Sequence, residues 1–142
     1  MQIIRRGSAV WNGGIKDGKG AISTQTGALQ AYPYSFGSRF ESVAGTNPEE
    51  LIAAGHAGCF TMALTLMLGE AGFTVEQLDT EAAVTLQKGA DGYSIPSIHL
   101  DLKAKVPGMK DKTFQALAAK AKAGCPVSKL LNADITLDAQ LV

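Results

Sequence analysis

The stretch NPEELIAAGHAGCF occupies residues 47–60 and opens with the features of a helix N-terminus. Asn47 is a favourable N-cap, and Pro48 suits the first helical position. Glu50 stands at the third position, where a capping box places an acidic side chain. The apolar residues that follow predict one long helix, with a cysteine, Cys59, in its interior.

This helix also has to be considered as a membrane span. Residues 51–68 contain no Asp, Glu, Lys or Arg, and a segment of that length is close to what a spanning helix needs. However, His56 interrupts the run, and its flanks are acidic rather than carrying Lys or Arg anchors. We therefore expect no membrane contact, but a helix buried on most sides within a soluble protein and ending at Gly72.

The overall composition describes a globular chain without excess charge. Apolar residues make up 46% of the 142 residues and charged residues 18%, which predicts a single domain, residues 1–142, with a real core. Thirteen acidic residues balance thirteen basic ones, which argues against nucleic acid as a partner. The N-terminus shows no secretory signal, so two cysteines indicate a reducing compartment, the cytoplasm.

The remaining segments predict strands around two main helices. We predict strands at residues 3–11 and 20–24, an extended segment at 32–40 broken at Pro33, a hairpin of 78–88 and 93–105, a helix at 111–123, a short helix from Pro126 with Cys125 at its cap, and a last strand through Ile135, Leu137, Ala139 and Leu141. Runs of strands around helices favour an α+β fold with antiparallel sheet.

The two thiols stand in different local environments. Small residues precede Cys59 and allow another backbone to approach closely. One interpretation is therefore that Cys59 is an inert, buried residue in helix packing. Cys125 directly precedes a helix opened by Pro126, where unpaired N–H groups stabilise a thiolate. Local chemistry therefore predicts Cys125 as the more acidic thiol. Two thiols also suffice for a dithiol cycle, in which one is oxidised and the other condenses with it.

Arg39 and Glu49 are the charged residues most suited to a site. Arg39 lies in an apolar stretch and needs a partner if buried, and Glu49 is free of the capping role of Glu50. Glu49 and Cys59 are ten residues apart on one helix, which separates them by about 15 Å of rise and about 80° of rotation. If both serve one site, the glutamate comes from a second copy, so we predict a homodimer.

The histidines raise two other possibilities. His56 shares a helix face with Cys59, which permits the nucleophile pair of a hydrolase, although no orienting acid is identifiable. Zinc could be held by His56, His99, Cys59 and Cys125, but no CxxC or HxxxH spacing is present. We predict no metal and no bound cofactor, and we place His99 at the surface.

Five segments carry a resemblance to a known family. The chain resembles the OsmC/Ohr family of thiol-dependent hydroperoxide peroxidases, and within it the OsmC (osmotically inducible protein C) branch. The segments are RFE at 39–41, GTNPEELIAAGHAGCF at 45–60, LMLGEAGF at 66–73, KAKAGCPVS at 120–128 and ITLD at 135–138. The similarity extends over nearly the whole chain.

The resemblance implies an OsmC-like fold, with antiparallel sheets wrapped around long central helices in an intertwined homodimer whose sites lie at the subunit interface. It implies that Cys59 is the peroxidatic thiol, which replaces the local preference for Cys125. Cys125 becomes the resolving thiol that forms a disulfide with Cys59. Arg39 stabilises thiolate and peroxide, and Glu49, from the partner subunit, orients Arg39.

One departure favours the OsmC branch over the Ohr branch. The Ohr branch carries its catalytic arginine in an early glycine-rich loop, and here that loop, GGIKDGKG, contains no arginine. Arg39 is therefore the candidate for the catalytic arginine. Ohr-type proteins have an aromatic residue where this chain has His56, which argues against a catalytic role for His56.

The activity implied by the resemblance is reduction of organic hydroperoxides to alcohols in oxidative and osmotic stress defence. An external thiol, such as the dithiol dihydrolipoamide, would recycle the disulfide. Apolar residues such as Phe60, Met62, Phe36 and Phe40 would favour organic hydroperoxides over hydrogen peroxide. The alternatives are a non-catalytic thiol redox sensor or stress protein, and the Cys–His hydrolase.

Overall fold

In the computed structural model, which describes all 142 residues, the chain divides into two compact units, Met1–Leu51 and Ile52–Val142. The first unit contains an antiparallel sheet of β1 (Gly7–Asn12), β2 (Lys19–Thr24) and β3 (Tyr32–Tyr34), in that order. Strand β1 begins four residues later than predicted because its pairing with β2 ends where Gly7 meets Thr24.

The predicted extended segment at residues 32–40 is only partly correct. Strand β3 ends at Tyr34, and a short helix, α1 (Phe36–Phe40), follows it. Ser35 caps this helix: its hydroxyl accepts from the Ser38 N–H, and the Ser38 hydroxyl accepts from the Ser35 N–H. This reciprocal cap is a local start signal, which the prediction missed by treating Pro33 as a break within one extended segment.

The long helix, α2 (Pro48–Glu70), begins and ends as predicted. The Glu50 N–H donates to the Asn47 side-chain oxygen at 2.8 Å, so Asn47 is its N-cap. At its end, Gly72 has a φ of +89°, and the Phe73 N–H donates to the Leu68 carbonyl, which together form a Schellman motif.

Burial of α2 is narrower than predicted. Its fully buried side chains, His56, Phe60, Leu64 and Leu68, form a single stripe at four-residue spacing, whereas we expected burial on most sides. The helix is apolar on most faces, and the core of this chain covers only one of them. By length and composition alone, α2 is also long and apolar enough to span a membrane.

The second unit contains a sheet in the order β4–β5–β6. Strands β4 (Gln77–Gly89) and β5 (Gly92–Lys105) form the predicted antiparallel hairpin. Helices α3 (Asp111–Gly124) and α4 (Pro126–Leu130) lead to β6 (Asp134–Leu141), which pairs with β5 in parallel. The expected antiparallel pairing holds for β4 and β5 but does not extend to β6, because the helical crossover returns the chain in the direction of β5.

The core of the second unit brings the cysteines into a packed environment. Alternate residues of β5 are buried with one stripe of α2 and one face of α3. The buried cluster consists of Phe60, Leu64, Leu68, Leu100, Leu102, Ala104, Val106, Phe114, Ala118, Ala121 and Cys125. Cys59 packs against the same cluster from its border. The α+β class is confirmed, and this core fixes the positions of both thiols.

Candidate active site

The two thiols face each other. Cys59 is half-buried on α2, and Cys125 is fully buried at the junction of α3 and α4. Their Sγ atoms lie 2.9 Å apart, within hydrogen-bond distance, and both cysteines are free. The Cys125 backbone is held on both sides, because its N–H donates to the Ala121 carbonyl and its carbonyl accepts from the Lys129 N–H.

The pKa values of the two thiols move in opposite directions. Burial raises the pKa of Cys59, and its hydrogen bond with Cys125 raises it further. Burial also acts to raise the pKa of Cys125, but hydrogen bonds from Cys59, from Ser128 and from the Val127 N–H outweigh burial, so the pKa of Cys125 is lowered. Cys125 is thus the more acidic thiol of the pair, as its position before Pro126 predicts.

A buried histidine contacts Ser128, three residues after Cys125. His56 is fully buried on α2, and its Nε2 lies 2.8 Å from the Ser128 hydroxyl oxygen. Its other ring nitrogen, Nδ1, is buried without a hydrogen-bond partner. Burial lowers the pKa of His56. Sequence reasoning missed Ser128, although its place three residues after Cys125, in the first turn of α4, could have identified it.

Arg39 and Glu49 form an ion pair within one chain. Arg39 lies in the last turn of α1 and Glu49 in the first turn of α2. The Arg39 Nη2 lies 2.7 Å from Glu49 Oε1, and the Arg39 Nε donates to both carboxylate oxygens at 3.2 Å. Arginine and glutamate therefore come from the same subunit.

An apolar cavity lies beside Arg39 in the first unit. Its volume is about 260 Å³, and Arg39 is the one charged residue among those that line it. The other lining residues are Trp11, Ile15, Tyr34, Ser35, Phe36 and Phe40. The Trp11 and Tyr34 rings contact each other edge to face, with their centroids 5.3 Å apart. The cavity can hold an apolar group next to a guanidinium.

The second histidine lies apart from the thiols. The exposed His99 bonds to Thr136 at 2.6 Å and to Asp138 at 3.2 Å, at the outer face of β5 and β6. The chain has no group of three or more His, Cys, Asp or Glu side chains placed to hold a metal ion. The four residues considered for zinc are therefore not gathered into one site.

Comparison with known proteins gives a consistent result. The family model described as OsmC-like protein matches residues 40–140. The chain is 55% identical to peroxiredoxin OsmC of Escherichia coli strain K12 over 141 residues, covering 99% of each chain. It is 38% identical over 96 residues to the organic hydroperoxide resistance protein OhrA of Bacillus subtilis, covering 66% of each.

Solved structures share the fold. The organic hydroperoxide resistance protein OhrB of Bacillus subtilis matches with a TM-score of 0.67 and 25% identity, over 96% of this chain and 98% of that one. An OsmC-like protein from Mycoplasma pneumoniae matches with a TM-score of 0.77, over 100% and 99%. At 18% identity, the latter supports the fold alone.

These relationships decide between the two branches. The match to an OsmC protein spans the full chain at higher identity, whereas the match to an Ohr protein spans two thirds of it at lower identity. The apolar α2 is accordingly a helix of a soluble protein and not evidence for a membrane span. The chain belongs to the OsmC-like family and is most similar to its OsmC branch among the relatives compared.

Proposed function

We propose that this protein, a thiol-dependent peroxidase of the OsmC-like family, reduces organic hydroperoxides to alcohols through Cys59 and Cys125. The relatives are named as a peroxiredoxin and as organic hydroperoxide resistance proteins. The observation that carries the proposal is the 2.9 Å approach of the two free thiols. Oxidation of one of them places its sulfur within reach of the other.

In the first step, the Cys59 thiolate attacks a peroxide oxygen. A sulfur–oxygen bond forms, the O–O bond breaks, and the departing alkoxide takes up a proton to leave as an alcohol. Because burial raises the pKa of Cys59, this step needs a nearby positive charge. We assign that role to the Arg39 guanidinium, with Glu49 holding its planar fork through the hydrogen bonds described above.

The arginine and glutamate would act on the Cys59 of a second subunit. Glu49 and Cys59 lie ten residues apart on α2, which is one continuous helix from Pro48 to Glu70. That spacing corresponds to about 15 Å along the axis. Since Arg39 is bound to Glu49 of its own chain, the two would be contributed together.

In the second step, Cys125 attacks the sulfenic acid of Cys59. A sulfur–sulfur bond forms, the sulfur–oxygen bond breaks, and hydroxide leaves and is protonated to water. The lowered pKa of Cys125 favours this step, because the attacking species is the thiolate. The product is the Cys59–Cys125 disulfide.

Two apolar surfaces support a homodimer. All buried hydrophobic residues belong to the second unit, so the sheet β1–β2–β3 has no buried hydrophobic face in the single chain. On α2, the Met62 and Leu66 side chains are 76% and 63% exposed, and Gly55 and Gly58 have open space at their Cβ positions. Sheets and apolar helices need a covering layer, which a second copy would supply.

The cavity beside Arg39 supports a preference for organic substrates. Its aromatic lining would bind the alkyl or aryl group of a hydroperoxide while the guanidinium binds the peroxide oxygens. Hydrogen peroxide has no such group and gains nothing from the lining. Phe36 and Phe40, two of the residues expected from the sequence, lie in this cavity.

An external thiol would complete the cycle without a bound cofactor. Cys125 is fully buried and Cys59 is half-buried, so the reductant would attack the Cys59 sulfur. A dithiol such as dihydrolipoamide would then release itself as a cyclic disulfide. We further propose a cytoplasmic location, a role in oxidative and osmotic stress, and one domain, since the family match crosses the boundary between the two units.

The test uses the reduced protein and one equivalent of cumene hydroperoxide, followed by intact mass measurement. The parent should lose about two mass units as the disulfide forms, and Cys125→Ser should gain about sixteen as the sulfenic acid persists. An unchanged parent mass would reject the peroxidase mechanism. A disulfide that no dithiol can reduce would instead identify the redox sensor.

The hydrolase alternative is disfavoured by the contacts of His56. A Cys–His pair requires a ring nitrogen within hydrogen-bond reach of the thiol. Here Nε2 is bonded to Ser128 and Nδ1 has no partner, so neither nitrogen is bonded to Cys59.

A further inference from the structure

We propose that His56 is a positioning residue for the resolving thiol: it holds the Ser128 hydroxyl as a hydrogen-bond donor to Cys125. The inference rests on the proposed function, because it assigns Cys125 the resolving step. It identifies two residues, His56 and Ser128, that the dithiol chemistry itself does not require.

Two side-chain contacts link α2 to the segment that contains Cys125 and Ser128. His56 Nε2 lies 2.8 Å from Ser128 Oγ, which joins residues 72 positions apart in the sequence. Ser128 is the third residue of α4, whose N-cap is Cys125, and its hydroxyl and backbone N–H are among the groups that lower the pKa of Cys125. Cys125 Sγ then lies 2.9 Å from Cys59 Sγ. The His56–Ser128 hydrogen bond thus connects α2, which carries Cys59, with α4, which follows Cys125.

The unpartnered ring nitrogen decides the tautomer. A neutral imidazole has one N–H donor and one bare acceptor nitrogen. If the proton were on Nδ1, a donor would be buried without a partner, which is rarer in proteins than an unsatisfied acceptor. The proton therefore belongs on Nε2, which donates to Ser128 Oγ. The Ser128 hydroxyl proton is then free to point at Cys125.

The same observations exclude proton transfer to the histidine. An imidazolium would place a positive charge on a fully buried ring whose Nδ1–H has no acceptor. Burial lowers the pKa of His56, which also favours the neutral ring. His56 thus acts through Ser128 by orientation and not as a base.

The consequence concerns the second step of the cycle. The Cys125 thiolate attacks the Cys59 sulfenic sulfur, and its negative charge passes to the departing hydroxide, which is protonated to water. A hydroxyl that donates to the Cys125 thiolate increases the fraction of thiolate available to attack. Loss of either His56 or Ser128 should therefore slow disulfide formation and lengthen the lifetime of the sulfenic acid.

The first measurement requires no peroxide. In a Cys59→Ser background Cys125 is the one remaining thiol, and its thiolate absorbance gives its pKa directly. We expect Ser128→Ala to raise this pKa by about one unit, a tenfold loss of thiolate, since hydrogen bonds to the charged form stabilise it. His56→Phe should raise it by a similar amount, and His56→Gln, whose amide N–H can replace Nε2–H, should restore most of the loss.

The double variant Ser128→Ala with His56→Phe separates positioning from a direct effect. If His56 acts through Ser128, the double variant should match Ser128→Ala alone. An additive effect, or an unchanged pKa in His56→Phe, would overturn the proposal. Thr80→Val is the matched control. It removes the 2.7 Å hydroxyl hydrogen bond between Thr80 of β4 and Thr61, which lies on α2 like His56, and it should leave the Cys125 pKa unchanged.

The second measurement follows a single turnover in the Cys59 protein. With cumene hydroperoxide, trapping of the sulfenic acid by dimedone should rise about tenfold in Ser128→Ala and His56→Phe relative to the parent. Absence of any oxidation in the parent would reject the proposed function and leave the pKa result standing. Normal oxidation with unchanged trapping would overturn the role of His56.

Discussion

The sulfur atoms of Cys125 and Cys59 lie 2.9 Å apart, and their surroundings shift the pKa values of the two thiols in opposite directions. Burial and the contact raise the pKa of Cys59, whereas donors from Ser128 and Val127 contribute to lowering the pKa of Cys125. The thiol assigned to resolve is therefore activated by its own chain. The thiol assigned to attack the peroxide needs an additional positive charge, and Arg39 is the candidate.

Replacing Arg39 tests this requirement. We expect Arg39→Gln to raise the pKa of Cys59 by about one to three units, since that is the usual effect of losing an adjacent opposite charge. At a pH below the pKa of Cys59, each unit by which the pKa rises lowers the thiolate fraction about tenfold, and the oxidation rate falls with it. The measurement is the pH profile of single-turnover oxidation in Cys125→Ser. Arg5→Gln is the control, and an unshifted profile in Arg39→Gln would rule out the assignment.

Glu49→Gln should weaken orientation of the guanidinium without removing its charge. The Arg39 fork has three hydrogen bonds to the carboxylate, and an amide can accept fewer of them. We expect kcat/KM to fall about tenfold, because a guanidinium held by fewer hydrogen bonds is positioned less well. Glu50→Gln serves as the control. Equal losses in both variants would point to the helix N-terminus instead.

The exposed apolar side chains of α2, Met62 and Leu66, provide a test of the homodimer. Leu66→Lys places a charge on a surface that a second copy would bury, so we expect a monomer by sedimentation equilibrium and loss of activity. Lys120→Glu, which changes an exposed charge on α3, should stay dimeric. A parent protein that is monomeric at working concentration would contradict the two-subunit site directly.

The cavity beside Arg39 leads to a prediction about substrates. Ile15 is 69% exposed and lines the cavity, so Ile15→Asp can introduce a charge without disturbing a core. We expect kcat/KM for cumene hydroperoxide to fall about tenfold relative to that for hydrogen peroxide, because a charged wall opposes apolar binding. The ratio of the two constants is its own control. An unchanged ratio would place the apolar group elsewhere.

His56 should make stability depend on pH. Its folded pKa is below its unfolded pKa of about 6.5, so the unfolded chain binds more protons as the pH falls. Its contribution to stability is complete above about pH 6.5 and is lost as the pH falls through the folded pKa. Thermal unfolding between about pH 7.5 and 5 should show this loss in the parent and a smaller one in His56→Gln. Identical slopes would indicate that the ring titrates normally.

Short sequence signals were sufficient to predict those elements whose ends depend on residues close together in the sequence. The ends of α2 follow from Asn47 and Gly72, because caps satisfy N–H and C=O groups within one helical turn. The hairpin of β4 and β5 was likewise predicted from local strand and turn patterns. The same kind of signal, the Ser35 cap, was present for α1 and was missed.

The amino-acid sequence by itself predicted both ends of α2, the β4–β5 hairpin, α3 and the position of Cys125 at a helix N-terminus. Only the tertiary structure decided which groups meet: Cys59 with Cys125 across 66 positions, and His56 with Ser128 across 72. It also decided the parallel pairing of β6 and the one-sided burial of α2. Such contacts depend on how the whole core packs, and no short-range hydrogen-bond rule specifies a partner that far along the chain.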